Sequence, residues 1–414
     1  MTAALRQVIS DNRAGKGVAI PSVCSAHPEV LQASLLLAER LDRAVVIEAT
    51  SNQVNQDGGY TGMRPADFVA LVYSIAAANG VDPGRITFGG DHLGPQAWRT
   101  LPAGQAMMRA RDMVTGYVQA GIHKIHLDCS EGCAGEAAQL PDEVTAARAA
   151  DLAGVAAEAA GNHDLLFVVG TEVPPPGGAR VDENGDISPT TPSSATATIA
   201  AHRDAMRDAW AQVGGLVVQP GVEFSPMQVH HLPMGSDPGL RAVMMQFPGL
   251  CLEAHSTDYQ TDETYLRLAE LGFAFQKVGP ALTFAWRRAL YALNALAAVA
   301  APADARLVDV LEQAMLEDPR HWQGQYRGGD LRIMRHYGLA DRVRYYWPVP
   351  AVQIAVKALF ARLDQARLPD RVLAEVFCDR TLSLAEAISG PRPRALALAE
   401  VQAALIPYFF GGHR

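Results

Sequence analysis

A chain of 414 residues, 49% hydrophobic and 19% charged, is long enough for one large α/β domain with a substantial addition, or for two domains. A net charge of −9 gives no basic stripe for nucleic acid and no polybasic membrane anchor, although local basic groups can still hold an anionic substrate. Five cysteines without paired spacing argue against a disulfide framework and for a reducing, cytoplasmic setting; Cys129 and Cys133 lack the partners of a zinc ribbon.

The first 17 residues carry no apolar run of signal-peptide length. From Gly17 to about Pro280, short β-branched runs alternate with longer Ala/Leu-rich ones. The pattern predicts strands at 18–24, 44–49, 86–88, 124–128, 165–170, 215–219, 250–254 and 273–278. Between them it predicts helices at 28–41, 65–79, 103–120, 142–160, 191–213 and 261–271. Pro28 and Pro65 sit in first helical turns, and Gly80, Gly121, Gly161, Gly214 and Gly272 read as helix stops. The strands are almost continuously apolar, as expected when both faces are covered. Eight such units in about 260 residues fit a (β/α)8 TIM barrel. A doubly wound open sheet is the alternative, but no Gly-x-Gly-x-x-Gly follows the first strand. The stretch after Glu223, through Pro226, His230, His231 and Pro233, shows no clear helix and reads as a long loop.

Beyond Pro280 the β pattern stops, and helices are predicted at 283–301, 305–317, 333–336, 351–366, 371–377 and 383–388. The expected organisation is a barrel over 1–282 and an all-helical extension over 283–414 packed on it. The longest oily stretch, 289–301, contains Asn294 and is too short to span a bilayer.

Polar residues close nearly every predicted strand. They are Cys24 and Ser25, Glu48 with Asn52 and Gln53, Asp91-His92, His126-Leu-Asp128, Thr171-Glu172, Gln219 and Glu223, Glu253-Ala-His255, and Gln276-Lys277. A barrel core favours branched apolar side chains, and unpaired buried charge is unfavourable, so eight such sets jointly point to a site at the C-terminal rim. Asp91 and His92 are the most informative pair. Neighbours on a regular strand face opposite ways, so both reach one cleft only where the backbone turns.

A divalent metal, zinc or manganese, is the expected organiser, with His92, His255 and a carboxylate from Glu172 or Glu223 as ligands. In this reading Asp91, Glu48 and Glu172 do the chemistry, with Asp91 moving a proton. Asn52, Gln53, His126 and Asp128 contact substrate. Lys277 and Gly279, where the eighth strand opens into a helix, are placed to meet a phosphate, although Lys277 fits an internal ion pair equally well. The segment 55–62 (Asn-Gln-Asp-Gly-Gly-Tyr-Thr-Gly) reads as a flexible loop over the mouth, and it lacks the Gly-Lys-Ser/Thr ending of a nucleotide loop.

Several stretches together resemble one family. Glu48-Ala-Thr-Ser-Asn-Gln-Val-Asn-Gln56, Gly58-Gly-Tyr-Thr-Gly-Met63, Gly89-Gly-Asp-His-Leu-Gly-Pro95, Lys124-Ile-His-Leu-Asp128 and Gly170-Thr-Glu-Val-Pro174 are similar to the GatZ/KbaZ subunits of class II tagatose-1,6-bisphosphate aldolase. The resemblance runs through the barrel and more loosely into Tyr345-Tyr-Trp347 and the tail. It implies a TIM barrel in galactitol or related hexose catabolism, acting on tagatose phosphates as the non-catalytic subunit beside a separate aldolase subunit, in an oligomer. Some members of the family are taken to be sugar-phosphate 4-epimerases, and the strand-end polar set keeps two alternatives open: a stand-alone metal-dependent ketose-phosphate 4-epimerase or aldolase, or a sugar-phosphate-binding scaffold without turnover. An older family label, tagatose 6-phosphate kinase, finds no nucleotide loop or kinase signature here. Catalytic class II aldolases are similar at the third strand, where an Asp acts as acid/base and a His binds zinc, matching Asp91 and His92. Of the further histidines those enzymes use, only His255 has a clear counterpart.

Overall fold

The computed structural model describes residues 2–171, 187–302 and 306–410. Eight parallel strands close into a barrel: β1 (Ile20–Cys24), β2 (Val45–Thr50), β3 (Ile86–Leu93), β4 (Lys124–Leu127), β5 (Leu166–Val169), β6 (Val213–Val218), β7 (Cys251–Ala254) and β8 (Phe273–Val278). Each pairs with its sequence neighbour, and β8 pairs back onto β1. The predicted TIM barrel is the observed fold, and a doubly wound sheet is excluded by closure.

Two apolar layers hold it. Inside, Ile20, Val46, Leu166, Val168, Val217 and Phe275 pack with Leu5 and Ile9 of a helix over Thr2–Arg13. That helix, absent from the sequence-based expectation, closes the barrel's N-terminal end, and Arg13 Nη1 holds it there through the Met244 and Leu250 carbonyls, both at 2.7 Å. Outside, the helices following the strands bury their apolar faces against the sheet. Burying each large aliphatic or aromatic side chain contributes about 1.5–3 kcal/mol.

Three local expectations need correction. Gly214 lies inside β6 and stops no helix; a Cβ there would lie 3.0 Å from Leu166 Cγ on β5, so glycine lets the strands pack closely. The predicted helix at 191–213 ends at Met206 and gives way to a 3-10 turn, Arg207–Gln212, with Arg207 at φ 49°. The supposed structureless stretch after Glu223 contains a hairpin, Glu223–Phe224 with Val229–His230, and a helix, Leu240–Met245.

Helix Pro280–Ala300 leaves β8 directly, so the anticipated division at 282/283 falls within it. The C-terminal region is helical: Leu307–Glu317, Leu331–Tyr337, Pro350–Ala366, Asp370–Leu373, Asp379–Glu386 and Arg392–Leu405. The last, not anticipated, is buried along almost its whole length against the helices Pro28–Arg40 and Pro280–Ala300. No helix among the described residues is long and apolar enough to cross a membrane.

Candidate active site

The register of the barrel builds the site's floor. Glu48 on β2 lies opposite Gly89 on β3, and Gly89 lies opposite Lys124 on β4. Because Gly89 has no side chain, the Lys124 ammonium reaches across it to Glu48 Oε1 at 2.7 Å and to Glu253 Oε2 of β7 at 2.6 Å. Lys277 of β8 completes the lattice, with Nζ 2.9 Å from Glu48 Oε2, 3.2 Å from Glu253 Oε1, and in contact with Asp91 Oδ1. A Cβ on residue 89 would fall 2.4 Å from Glu48 Oε1. Gly89→Ala is therefore expected to lower stability by about 1–3 kcal/mol, as overpacking does; equilibrium urea denaturation measures it, and an unchanged midpoint would contradict this packing.

Asp91 and His92 converge by a different route from the one expected. They do not follow the strand but lie within it, since β3 runs on to Leu93. The pairing with β4 slips between Gly90 and Leu93, and His92 takes φ 48°. A non-glycine residue in the left-handed region is uncommon, and such strain gathers at functional sites. Here it turns two adjacent side chains onto one rim. Gly94 follows at a point where the backbones nearly touch: a Cβ there would sit 1.7 Å from the Asp128 carbonyl oxygen.

Three imidazoles meet above the lattice. The rings of His92, His126 and His255 have centroid separations of 5.1, 5.0 and 5.0 Å, an almost equilateral triangle. His92 Nδ1 lies 2.7 Å from Asp128 Oδ2, and donation there leaves Nε2 with its lone pair free, 3.7 Å from Asp91 Oδ2. His255 Nε2 meets Glu253 Oε1 at 2.9 Å, which frees Nδ1 in the same way. His126 Nδ1 lies 3.0 Å from Asp91 Oδ1 and 3.2 Å from the His92 backbone N–H, while its Nε2 is buried without a partner.

The electrostatics follow from the crowding. Burial alone would raise the Asp91 carboxyl, but the charges of His92 and Lys277 hold it well below the usual carboxylate range. Glu253 is likewise held low against its burial by Lys124 and Lys277. Asp128 is lowered, against burial, by its bond to His92. Burial and the Lys277 ammonium push His255 down to about 3, and burial lowers His126, so both rings are neutral. His92 is raised despite its burial, through Asp91 and Asp128.

A cavity of about 470 Å³ opens onto this cluster, and Asn52, Gln53, Asp91, His92, His255 and Lys277 line it. The remaining expected residues are placed otherwise. Glu48 is fully buried beneath, committed to the two lysines, and does not line the cavity. Asp128 orients His92 rather than facing the cavity. Gly279 lines it, but its N–H already donates to Asp258 Oδ1 at 3.1 Å. Glu223 sits in the hairpin, where its Oε1 accepts the Phe224 N–H at 2.9 Å, and it is not brought to the imidazoles. Glu172 lies outside the described residues. His126, expected to touch substrate, stands instead among the candidate ligands; its place two residues before Asp128 on one strand face was the available signal.

The donor set suits a divalent cation. Asp91, His92 and His255 offer ligand atoms within 4.8 Å of one another, as do His126, Glu253 and His255. Among the described residues four buried carboxylates, Glu48, Asp91, Asp128 and Glu253, outnumber the two ammonium groups, Lys124 and Lys277, that they face, even with His92 between Asp91 and Asp128. A cation taken up by the free imidazole nitrogens would offset that excess of negative charge, and the partnerless His126 Nε2 is a further open donor. Purified protein is expected to carry about one zinc or manganese per chain by elemental analysis, lost in His92→Ala, His126→Ala and His255→Ala. Metal-free protein whose stability is unmoved by those changes would remove the metal reading.

The glycine-rich segment at the mouth is a hydrogen-bonded turn rather than the loose loop expected. Asn55 Oδ1 accepts the N–H groups of Asp57 and Gly59 at 2.9 and 3.0 Å, and the Asn52 carbonyl accepts that of Tyr60 at 3.0 Å. A Cβ on Gly59 would meet the Gln53 carbonyl oxygen at 2.3 Å. The amides that would cradle a nucleotide phosphate are thus turned inward.

Comparison with known proteins agrees with this architecture. Residues 5–413 match the family model for the D-tagatose-1,6-bisphosphate aldolase subunit GatZ/KbaZ-like. The D-tagatose 6-phosphate 4-epimerase of Agrobacterium fabrum is 46% identical over 421 aligned positions, covering 99% of this chain and 98% of that protein. The crystal structure of a probable tagatose 6 phosphate kinase from Sinorhizobium meliloti 1021 is 42% identical, with a TM-score of 0.85 over 94% of this chain and 99% of the other.

Proposed function

This chain belongs to the GatZ/KbaZ-like family of D-tagatose-1,6-bisphosphate aldolase subunits, and from that membership we propose that it is itself a metal-dependent epimerase of ketose phosphates. The reaction is inversion at C4, interconverting D-tagatose 6-phosphate and D-fructose 6-phosphate. The observation that carries this reading is the triangle of His92, His126 and His255, of which His92 and His255 line the cavity beside an ionised Asp91. A scaffold that only supported a partner would gain nothing from burying it.

Chemistry narrows the route. C4 is not adjacent to the C2 carbonyl, so simple enolisation cannot invert it, whereas opening and reclosing the C3–C4 bond can. Asp91, kept ionised by Lys277 and His92, takes the proton of the C4 hydroxyl. C4 becomes an aldehyde as the C3–C4 bond breaks, and the electron pair moves toward C3 and the C2 oxygen. The aldehyde turns its other face, the bond re-forms, and Asp91 returns the proton to the inverted C4 oxygen. Lys277 and the buried carboxylates hold Asp91 in place throughout. A cation held by the three histidines would supply Lewis acidity toward the C2 carbonyl and a neighbouring hydroxyl. Because an aldolase breaks the same bond, one rim suits both the family's description and the epimerase name of the Agrobacterium relative.

The family's description as an aldolase subunit favours a second reading, in which the same cavity binds a ketose phosphate for a class II catalytic partner. Phosphoryl transfer from ATP is not proposed, since the amides of the glycine-rich turn are internally satisfied. The test is to incubate the purified chain alone with D-tagatose 6-phosphate and zinc or manganese, following products by NMR. D-fructose 6-phosphate supports the proposal. Inertness alone, with cleavage of tagatose 1,6-bisphosphate stimulated only when a class II aldolase subunit is added, supports the second reading instead.

A further inference from the structure

A ketose phosphate needs a cationic partner for its phosphate, and the exit of β8 is already taken. Backbone amides opening the helix after a barrel's last strand are a ready anion site. Here Asp258 Oδ1 accepts the N–H of Gly279 at 3.1 Å and that of Ala281 at 2.8 Å, so a carboxylate fills the cradle. Asp258 lines the cavity, and an ionised carboxylate there repels a second anion. Lys277 is no substitute, because Glu48, Asp91 and Glu253 surround it.

The cavity's other cations come from outside the eight strands. Arg344 stands on the 3-10 turn Arg342–Tyr346 and Lys357 on helix Pro350–Ala366. Arg394 also lines the cavity but is engaged with Glu29 at 3.6 Å and Gln32 at 3.0 Å. Arg344 is held by the Ala340 carbonyl, by the Asp341 carbonyl at 3.3 Å and by Tyr345 Oη at 3.1 Å, with its guanidinium 4.6 Å from the Tyr345 ring centroid. Among the described residues neither Arg344 nor Lys357 has a carboxylate within ion-pair distance, in a chain whose net charge is −9. Two cations that line one cavity without an ion-pair partner suit an anionic ligand end, and an arginine preset by carbonyls and an aromatic ring loses little freedom on binding phosphate.

We infer that Arg344 and Lys357 form the phosphate-binding end of the cavity, so that the helical C-terminal region, not the β8 junction, selects phosphorylated sugars. The inference rests on the proposed reading of the rim as a ketose-phosphate site. Its test is calorimetric binding of inorganic phosphate and of D-tagatose 6-phosphate to the full chain and to Arg344→Gln, Lys357→Ala and Asp258→Asn. Lys357 is exposed, so its variant is expected to fold normally. Arg344→Gln and Lys357→Ala are each expected to weaken sugar-phosphate binding roughly tenfold, the size of a lost charge-assisted contact. The KM for D-tagatose 6-phosphate rises with them, and binding of D-tagatose 6-phosphate weakens more than binding of unphosphorylated D-tagatose. Undiminished binding in both variants, or wild-type protein that binds neither probe, overturns the subsite, as does phosphate affinity that responds only to Asp258→Asn. Binding that depends on Arg344 and Lys357 in a chain that never converts the sugar leaves the subsite standing and refutes the epimerase instead.

Discussion

Asp91→Asn is expected to lower turnover of D-tagatose 6-phosphate by about 10²–10⁴-fold, the usual contribution of a positioned acid/base group. The loss should appear in kcat with the fold retained, because Lys277 keeps Glu48 at 2.9 Å and Glu253 at 3.2 Å when Asp91 loses its charge. Asp128→Asn makes the contrast. That residue reaches the reaction only through its 2.7 Å contact with His92 Nδ1, so its loss should weaken metal binding about 10–100-fold. Excess metal should then restore activity to Asp128→Asn but not to Asp91→Asn. Steady-state kinetics across a metal titration separates them; equal rescue of both would show that Asp91 is not the proton carrier.

Lys124→Met is expected to have the largest effect on stability, a loss of about 3–5 kcal/mol, as when one partner of a buried ion pair is removed. Lys124 is fully buried and bridges Glu48 and Glu253, each itself fully buried. Burial works against its charge, but Glu253 and Glu48 raise it above the usual lysine range. The same bridge has a pH signature. With Glu253 and Asp91 held well below the ordinary range, the unfolded chain binds more protons than the native one near pH 4. Their contribution is therefore complete above about pH 5 and is lost as the pH falls. In Lys124→Met the Glu253 carboxyl rises toward its ordinary value while Lys277 still holds Asp91 low, so the acid limb becomes shallower. Urea midpoints from pH 3 to pH 7 measure this, and a variant with the wild-type slope would show that the bridge does not set the protonation of Glu253.

The barrel was readable because its signals are local. Apolar runs of strand length alternate with helical periods, and the end of each strand is marked by a polar residue that a folding core would not choose. The site was only half readable, because register and curvature are not local. Nothing near Gly89 announces that Glu48 and Lys124 flank it, so Glu48 reads as a catalytic acid until the barrel closes and turns it into a structural counter-ion. The His92 backbone bulge makes convergence possible inside a strand, where alternation alone forbids it. Gly214 looked like a helix stop because glycine serves both a helix end and a tight strand contact. Two-residue strands such as Glu223–Phe224 are shorter than any period, and helix Arg392–Leu405, buried on most sides, carries no amphipathic stripe. Arg344 and Lys357 lie far along the chain from the strand ends whose cavity they join, so only the fold reveals them.

The measurement closest to the heart of the account is conversion of D-tagatose 6-phosphate by the isolated, metal-loaded chain in D2O, read by proton and carbon NMR. Opening and reclosing the C3–C4 bond keeps the original hydrogen on C4, so D-fructose 6-phosphate should form with protium at that carbon. Deuterium at C4 would show that the carbon itself is deprotonated, contradicting the role given to Asp91 and the bond it is placed to break.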